Sequence, residues 1–177
     1  RATERAKETL DILANDGLDY DLVLLLQGDE PQIFPKDIEN LKQAFSNKEL
    51  EVVNLVFPIF NDDLEDPNVV KVALDNNLTI HFFSRSHIPH DCINGYRQLG
   101  MIGLTKKALN NYVSLLPTTF EEVESIDMMR FIENDFSIQG VLSTSQILGV
   151  DTPQDLKKVE TIMMNDKFVN LYKEKYI

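Results

Sequence analysis

Two aspartates stand where this sequence could do chemistry. Asp29 follows the apolar run of "DLVLLLQGDEPQIFP", which stops abruptly at Gln27, Gly28, Asp29 and Glu30. Asp151, in "GVDTPQDL", sits just before a segment with a helix-start signature: Thr152 as cap, Pro153 at the first helical position and Asp155 three residues after the cap. Ligands of open α/β sheets gather outside the carboxyl ends of the strands, so both acids are predicted at one crevice. A pair of carboxylates there suits Mg2+, a hard cation that commonly takes one or two carboxylates and fills its other positions with water and phosphate oxygens. A purely local reading competes: Asp29 as a turn residue and Asp151 as partner of a helix dipole. The residues alone leave both open.

Arg85 ends the aromatic-rich run "FFSRSHIP" in an otherwise acidic chain. Its planar fork suits a carboxylate or phosphate held by two hydrogen bonds, and equally a salt bridge to one of the many acids. Lys71 in "DPNVVKV" carries the same ambiguity. His81 alternates with Phe82 in a strand, and His87 and His90 read as solvated loop residues without the ligand set of a metal site. Cys92 has no catalytic histidine motif and reads as a passive thiol. Met129 reads as helix core.

The elements that must position these groups follow from periodicity. "ATERAKETLDILAN" carries Ala6, Leu10 and Leu13 at helical spacing and leads into a strand at 21–26. "KDIENLKQAF" reads as a helix and "EVVNLVFPIF" as a β-rich segment, an alternation that points to a mainly parallel sheet. Two β-rich runs flank Asp75, Asn76 and Asn77, residues that tolerate the backbone of a hairpin turn. "SHIPHDCINGY" reads as a loop, "RQLGMIGL" as a strand, and Thr105 as the cap of "TKKALNNYVSLL", which Pro117 ends. "TTFEEVESIDMMRFIEN" has overlapping capping-box patterns and a continuous apolar face, predicting one long helix. "SIQGVLS" reads as a strand, the residues before Thr152 as a strand end leading into a helix, and "DKFVNLYKEKY" as a terminal helix.

Seventeen basic against 29 acidic residues give a net charge of -12 across 177 residues. Nucleic acid is disfavoured as a partner, because such binders draw most of their affinity from Lys and Arg on phosphates. An anionic substrate here needs a metal ion or a local cluster of cations to offset the carboxylates. No run approaches the ~18 apolar residues of a membrane span. With one cysteine and no leader pattern, the expectation is a cytoplasmic protein of one domain, 1–177, without membrane attachment.

"LLLQGDEPQI", "DPNVVKV", "FFSRSHIP", "ESIDMMR" and "GVDTPQDL" occur here in an order and spacing that resemble the 3-deoxy-manno-octulosonate (Kdo) cytidylyltransferases, the CMP-Kdo synthetases, over nearly the whole chain. The resemblance implies an α/β, three-layer nucleotidyltransferase fold of the nucleotide-diphospho-sugar transferase type, with a mixed, mostly parallel sheet flanked by helices and an antiparallel hairpin excursion. It implies a homodimeric enzyme that joins CTP to a 2-keto-3-deoxy sugar acid and releases pyrophosphate, supplying cell-surface lipopolysaccharide. By the same resemblance Asp29 and Asp151 hold Mg2+ and, with Arg85, are catalytic. Gln27, Arg85, Gln98 and Asp127 contact the sugar acid, and Thr3 and Arg5 of "TERAKE" lie on the nucleotide side.

Two departures shape the expectations. Relatives of this kind open with a phosphate-cradling loop of the type RxGSxRLPGKPL, so the chain is expected to be N-terminally truncated and by itself a poor CTP binder. Gln98 and Ile102 stand where the family pattern has His and Tyr, and Met128 replaces a polar residue after Asp127. A pocket that loses polar groups grips a different set of hydroxyls. The alternatives are therefore another sugar acid, such as an amino-substituted Kdo, or a noncatalytic nucleotide- or sugar-binding homologue.

Overall fold

The computed structural model describes residues 1–166 and 168. The order of elements is α1 (Ala2–Asn15), β1 (Leu22–Leu26), α2 (Pro35–Ala44), β2 (Val52–Phe60), α3 (Asp62–Glu65), β3 (Lys71–Leu74), β4 (Thr79–Ser84), β5 (Asn94–Thr105), α4 (Lys106–Ser114), α5 (Thr119–Glu124), α6 (Met129–Ile132), β6 (Ile138–Leu142) and α7 (Pro153–Met163). The terminal helix expected over "DKFVNLYKEKY" lies, apart from Asp166 and Phe168, outside the described residues.

Six strands form one sheet in the order β1-β5-β2-β6-β4-β3, with a further pairing of β3 to β5. β2 lies inside the sheet and packs on both faces, which is why Val52, Val53, Leu55 and Val56 form an unbroken buried run rather than an alternating one. On one face Leu10 of α1, Leu109 and Tyr112 of α4, and Met129 and Phe131 of α6 pack against Val52, Ile102 and Leu104. On the other, Leu41 of α2 and Ile147 meet Val53, Leu55, Leu99 and Met101. Burying a side chain as completely as Leu41, Leu55 or Leu99 contributes ~1.5–3 kcal/mol each. The helix-sheet-helix layering matches the expectation.

The expectation of a mostly parallel sheet holds for direction and fails for pairing. β1, β2, β3 and β6 run one way, yet the only parallel pair among the described residues is β2–β6. The cause is β5, which runs against its neighbours between β1 and β2, together with the β3–β4 hairpin. β5 also starts at Asn94, inside the stretch expected to be loop, because it pairs to the end of β2 at Phe60↔Asn94. The strand end expected at Asp151 is absent: β6 stops at Leu142, and residues 143–151 form no regular element.

The long helix expected over 118–134 is broken. Ser125 adopts a left-handed backbone (φ 57°, ψ 45°) that closes α5, and a turn through Asp127 precedes α6. Tertiary bonding outweighs the continuous apolar pattern. Glu121, read as a capping residue, does accept from the Thr118 N–H at 3.3 Å, but it is fully buried and receives a bidentate pair from Arg130, 2.6 Å from Nε and 2.7 Å from Nη2. Arg130 in turn lies 4.1 Å over the Tyr112 ring. Burial pushes the Glu121 carboxyl up, but the hydrogen bonds from Arg130 and Thr118 and the Arg130 charge bring it to a net value below the usual range.

Candidate active site

The site lies in a gap of the sheet. β1 and β3 pair with the same edge of β5, end to end: β1 reaches Leu26↔Met101, continued by the Gln27 N–H to the Gly100 carbonyl at 2.9 Å, and β3 begins at Lys71↔Arg97, preceded by the Gln98 N–H to the Val70 carbonyl at 2.9 Å. Between the carboxyl end of one strand and the amino end of the other, β5 is the floor of a cleft. Its pairing to β2 slips there, from Asn54↔Ile102 to Val56↔Gln98, so β5 carries extra residues where the cleft needs width. Buried Asn54 stitches the irregularity: Nδ2 donates to the carbonyls of Leu55 (2.9 Å) and Leu99 (3.0 Å), and Oδ1 accepts from Gln98 Nε2 (2.7 Å).

The two acids after β1 have separate tasks. Glu30 turns inward and accepts the Gly100 N–H at 2.8 Å, standing in for a missing strand partner. Burial pushes its carboxyl above the usual range; the Gly100 hydrogen bond and the Arg97 charge oppose that, while Asp29 and Asp151 add to it. Asp29 stays exposed and faces the cleft. Its carbonyl accepts the Val150 N–H at 2.9 Å, which draws the irregular segment before α7 against the loop after β1 and brings Asp151 to the same cleft. α7 itself starts as its sequence predicts, with Thr152 Oγ1 accepting from Asp155 N at 3.2 Å and donating to Asp155 Oδ2 at 2.7 Å.

Arg85 lines the same cleft and makes no salt bridge among the described residues. Its side chain is steered by carbonyls instead, Nε donating to Glu124 O (2.9 Å) and Nη1 to Pro67 O (3.0 Å). The Glu124 carboxylate takes the Arg85 backbone N–H at 2.8 Å and Ser84 Oγ at 2.9 Å. A guanidinium oriented by neutral groups keeps its charge for an incoming anion. Lys71, read only as ambiguous, is fully buried and clamps this wall, its Nζ donating to the carbonyls of Asp66 (2.7 Å) and Arg85 (2.6 Å). Burial moves its pKa below the usual lysine value.

Gln27, Arg85 and Gln98 continue into an adjoining recess with Asp127, Ile102 and Met128. The residues assigned to the sugar acid by resemblance therefore share one surface, while Gln98 has spent part of its amide on Asn54 and Ile102 and Met128 are buried apolar groups. Asp127 Oδ2 accepts from the backbone N–H (3.2 Å) and Oγ1 (3.1 Å) of Thr3. Thr3, expected on the nucleotide side, is fully buried behind Asp127, and Arg5 points outward to Glu8 at 2.8 Å on a groove shared with Gln27 and Asp29. His87, expected as a solvated residue, is half-buried and bonds Glu65 Oε1 (2.6 Å) and the Cys92 carbonyl (3.0 Å).

Sequence reasoning missed Arg97, Glu30 and Gly100 as parts of the site. A Cβ on Gly100 would lie 2.8 Å from Gln27 Cβ and 2.9 Å from Gln27 Oε1, so this glycine makes room for Gln27 to reach the cleft. The available signals were Arg97 and Gly100 on either side of Gln98-Leu99 in β5, and a second carboxylate directly after Asp29.

As a donor set, Asp29 and Asp151 offer two exposed carboxylates on one cleft, and among the described residues no group of three or more His, Cys, Asp or Glu could enclose a metal ion. That fits a cation that keeps water and substrate ligands and does not fit a protein-enclosed metal.

Comparison with known proteins agrees with this geometry. Residues 1–142 match a family model described as cytidylyltransferase. The 3-deoxy-manno-octulosonate cytidylyltransferase of Chlorobium limicola is 37% identical over 170 residues, covering 91% of this chain and 67% of that protein. The protein of the same name from Fusobacterium nucleatum is 35% identical over 147 residues, covering 80% of this chain and 60% of that one. The chain thus spans roughly two thirds, or somewhat less, of the length of these relatives. A solved structure of CMP:2-keto-3-deoxy-manno-octonic acid synthetase complexed with CTP superposes with a TM-score of 0.82 at 28% identity over 93% of this chain and 68% of that one. A glucose-1-phosphate thymidylyltransferase structure from Bacillus anthracis, at 17% identity and a TM-score of 0.65, shares the fold. Gapped sheet, paired acids and family match converge, and the chain belongs to the cytidylyltransferase family.

Proposed function

We propose that the full-length protein is a Mg2+-dependent cytidylyltransferase that joins CTP to Kdo, releasing pyrophosphate. The observation that carries this reading is the bond from Val150 N–H to the Asp29 carbonyl, which sets Asp29 and Asp151 on one cleft beside Arg85, whose guanidinium makes no ion pair among the described residues. Asp29 and Asp151 would hold Mg2+, which when bound neutralises phosphate charge and positions the reactants. Arg85 takes the sugar-acid carboxylate with its planar fork. Gln27 and Asp127 orient the sugar so that its anomeric hydroxyl meets the α-phosphorus in line, the P–O bond to pyrophosphate breaking as the new one forms and the hydroxyl proton passing to water. The catalytic work is mostly positioning and electrostatics. Homodimerisation, action in the bacterial cytoplasm and supply of lipopolysaccharide belong to the same proposal, supported by family resemblance.

A second sugar acid is favoured by one observation: Gln98 is engaged by Asn54, and Ile102 and Met128 line the recess. An amino-substituted Kdo is the named alternative. Pyrophosphate release by the full-length protein with CTP and Mg2+, across Kdo, amino-Kdo and sialic acid, decides between them. Asp29→Asn and Asp151→Asn are each expected to abolish nearly all release; a variant near wild-type rate removes that residue from the metal site. Silence with every acid from a well-folded protein overturns the reading in favour of a binding homologue.

A further inference from the structure

Arg97 occupies β5 opposite Phe57 and Lys71, at the edge of the cleft floor. The arginine ion pairs among the described residues belong to Arg1, Arg5 and Arg130. Arg97 has none, and its Nε is buried with no hydrogen-bond partner. Arg97 is half-buried, and holding its buried Nε–H without an acceptor is costly, which points to a partner supplied from outside.

Position limits what that partner is. Successive strand residues face opposite sides. Both line the central cleft, but Gln98 continues into the recess that holds Asp127, whereas Arg97 continues past Gly149 and Asp151 into a second recess with Asp63, Asp66, Asp155 and Lys158. A bare anion approaching Arg97 meets Asp29, Glu30 and Asp151 and is repelled. A phosphate that arrives complexed to a divalent cation is not: the carboxylates take the metal and the guanidinium takes an oxygen. We propose that Arg97 is a phosphate-binding residue that takes an oxygen of a metal-complexed di- or triphosphate, on the side of the cleft away from the sugar recess. The ligand class rests on the cytidylyltransferase reading; the unpartnered Nε–H of Arg97 does not.

The test uses inorganic pyrophosphate, with Mg2+ or with EDTA, titrated calorimetrically into the full-length protein. Wild type is expected to bind Mg2+-pyrophosphate and to lose that binding in EDTA. Arg97→Met is expected to bind at least ~10-fold more weakly, with Arg97→Lys intermediate. In the wild-type protein, the Arg97 Nε–H resonance should shift on addition of Mg2+-pyrophosphate, a readout that needs no variant to fold. An unmoved resonance, or a folded Arg97→Met protein that binds as tightly as wild type, overturns the proposal. Turnover with CTP and the sugar acids is measured separately, so an inactive protein that still binds pyrophosphate through Arg97 sinks the proposed reaction and spares the site.

Discussion

Replacing Glu30 by Gln and by Ala separates the two things its carboxylate does. Glu30 supplies the acceptor for the buried Gly100 N–H at 2.8 Å, and it places a buried negative charge beside Asp29 and Asp151. Glu30→Gln keeps an acceptor of similar shape and removes the charge, whereas Glu30→Ala removes both. A buried amide left without an acceptor costs about 1–3 kcal/mol, so Glu30→Ala should be less stable than Glu30→Gln by that amount at neutral pH. In a domain of this size that is a fall in Tm of roughly 2–4 °C per kcal/mol. The pH dependence has a definite sign. Burial raises the folded-state pKa of Glu30 above the unfolded value, so the native state holds its proton longer and the wild type loses stability as pH rises from the ordinary carboxyl range through the raised pKa. Glu30→Gln lacks that loss, so it should gain on the wild type across the same window and hold the gain above it. Urea melts at a series of pH values read both effects. Equal stability of the Ala and Gln variants would refute the assignment of Glu30 as the partner of Gly100, and a gain that shrinks with rising pH would refute its charged burial.

Three further outcomes are expected. Gly100→Ala drives a methyl group to within 2.8 Å of Gln27 Cβ; we expect a loss of about 1–3 kcal/mol in urea melts and a raised KM for the sugar acid with KM for CTP unchanged, and normal sugar kinetics would show that Gln27 has no part in sugar binding. Arg130→Met leaves the Glu121 carboxylate buried without its bidentate partner and should cost about 3–5 kcal/mol, read by the same melts; a loss below about 1 kcal/mol would mean that α5 and α6 are held by packing alone. Arg85→Lys keeps the charge and loses the fork, so KM for the sugar acid should rise ~10-fold or more while Mg2+ dependence stays as in wild type; unchanged kinetics would return Arg85 to a structural role.

The sequence made local structure legible wherever a local cause governed it. The α7 cap, the Thr105 cap with its side chain accepting from Ala108 N, and the hairpin around Asp75–Asn77 all follow from residues within a few positions of one another. It failed where distant partners decide. The apolar face over 118–134 is continuous, yet the bidentate bond from Arg130 to Glu121 and the bonds from Thr3 to Asp127 favour a broken helix that delivers Asp127 to the recess. Strand alternation suggested parallel pairing because nothing local announces that β5 will slot between β1 and β2. Asp29, Asp151 and Arg85 were legible as polar groups at strand and helix ends. Arg97 and Glu30 were not, since their importance comes from what they face across the gap.

The gap between β1 and β3 also divides the site by mobility. Its floor is the buried middle of a twelve-residue strand, held at the register slip by Asn54 and Glu30 and paired on both edges from Ile102 to Leu104, while its walls are the last residues of one strand and the first of another. Strand ends open far more readily than strand interiors. The wall groups Gln27 and Asn68, which both line the cleft, can therefore shift to fit ligands of different outline while the core beneath stays closed, and hydrogen exchange should find the Ile102 to Leu104 amides slow beside fast amides at Gly28 to Asp29. A pocket of this design can change its substrate by altering the walls, with little cost to the stability of the sheet.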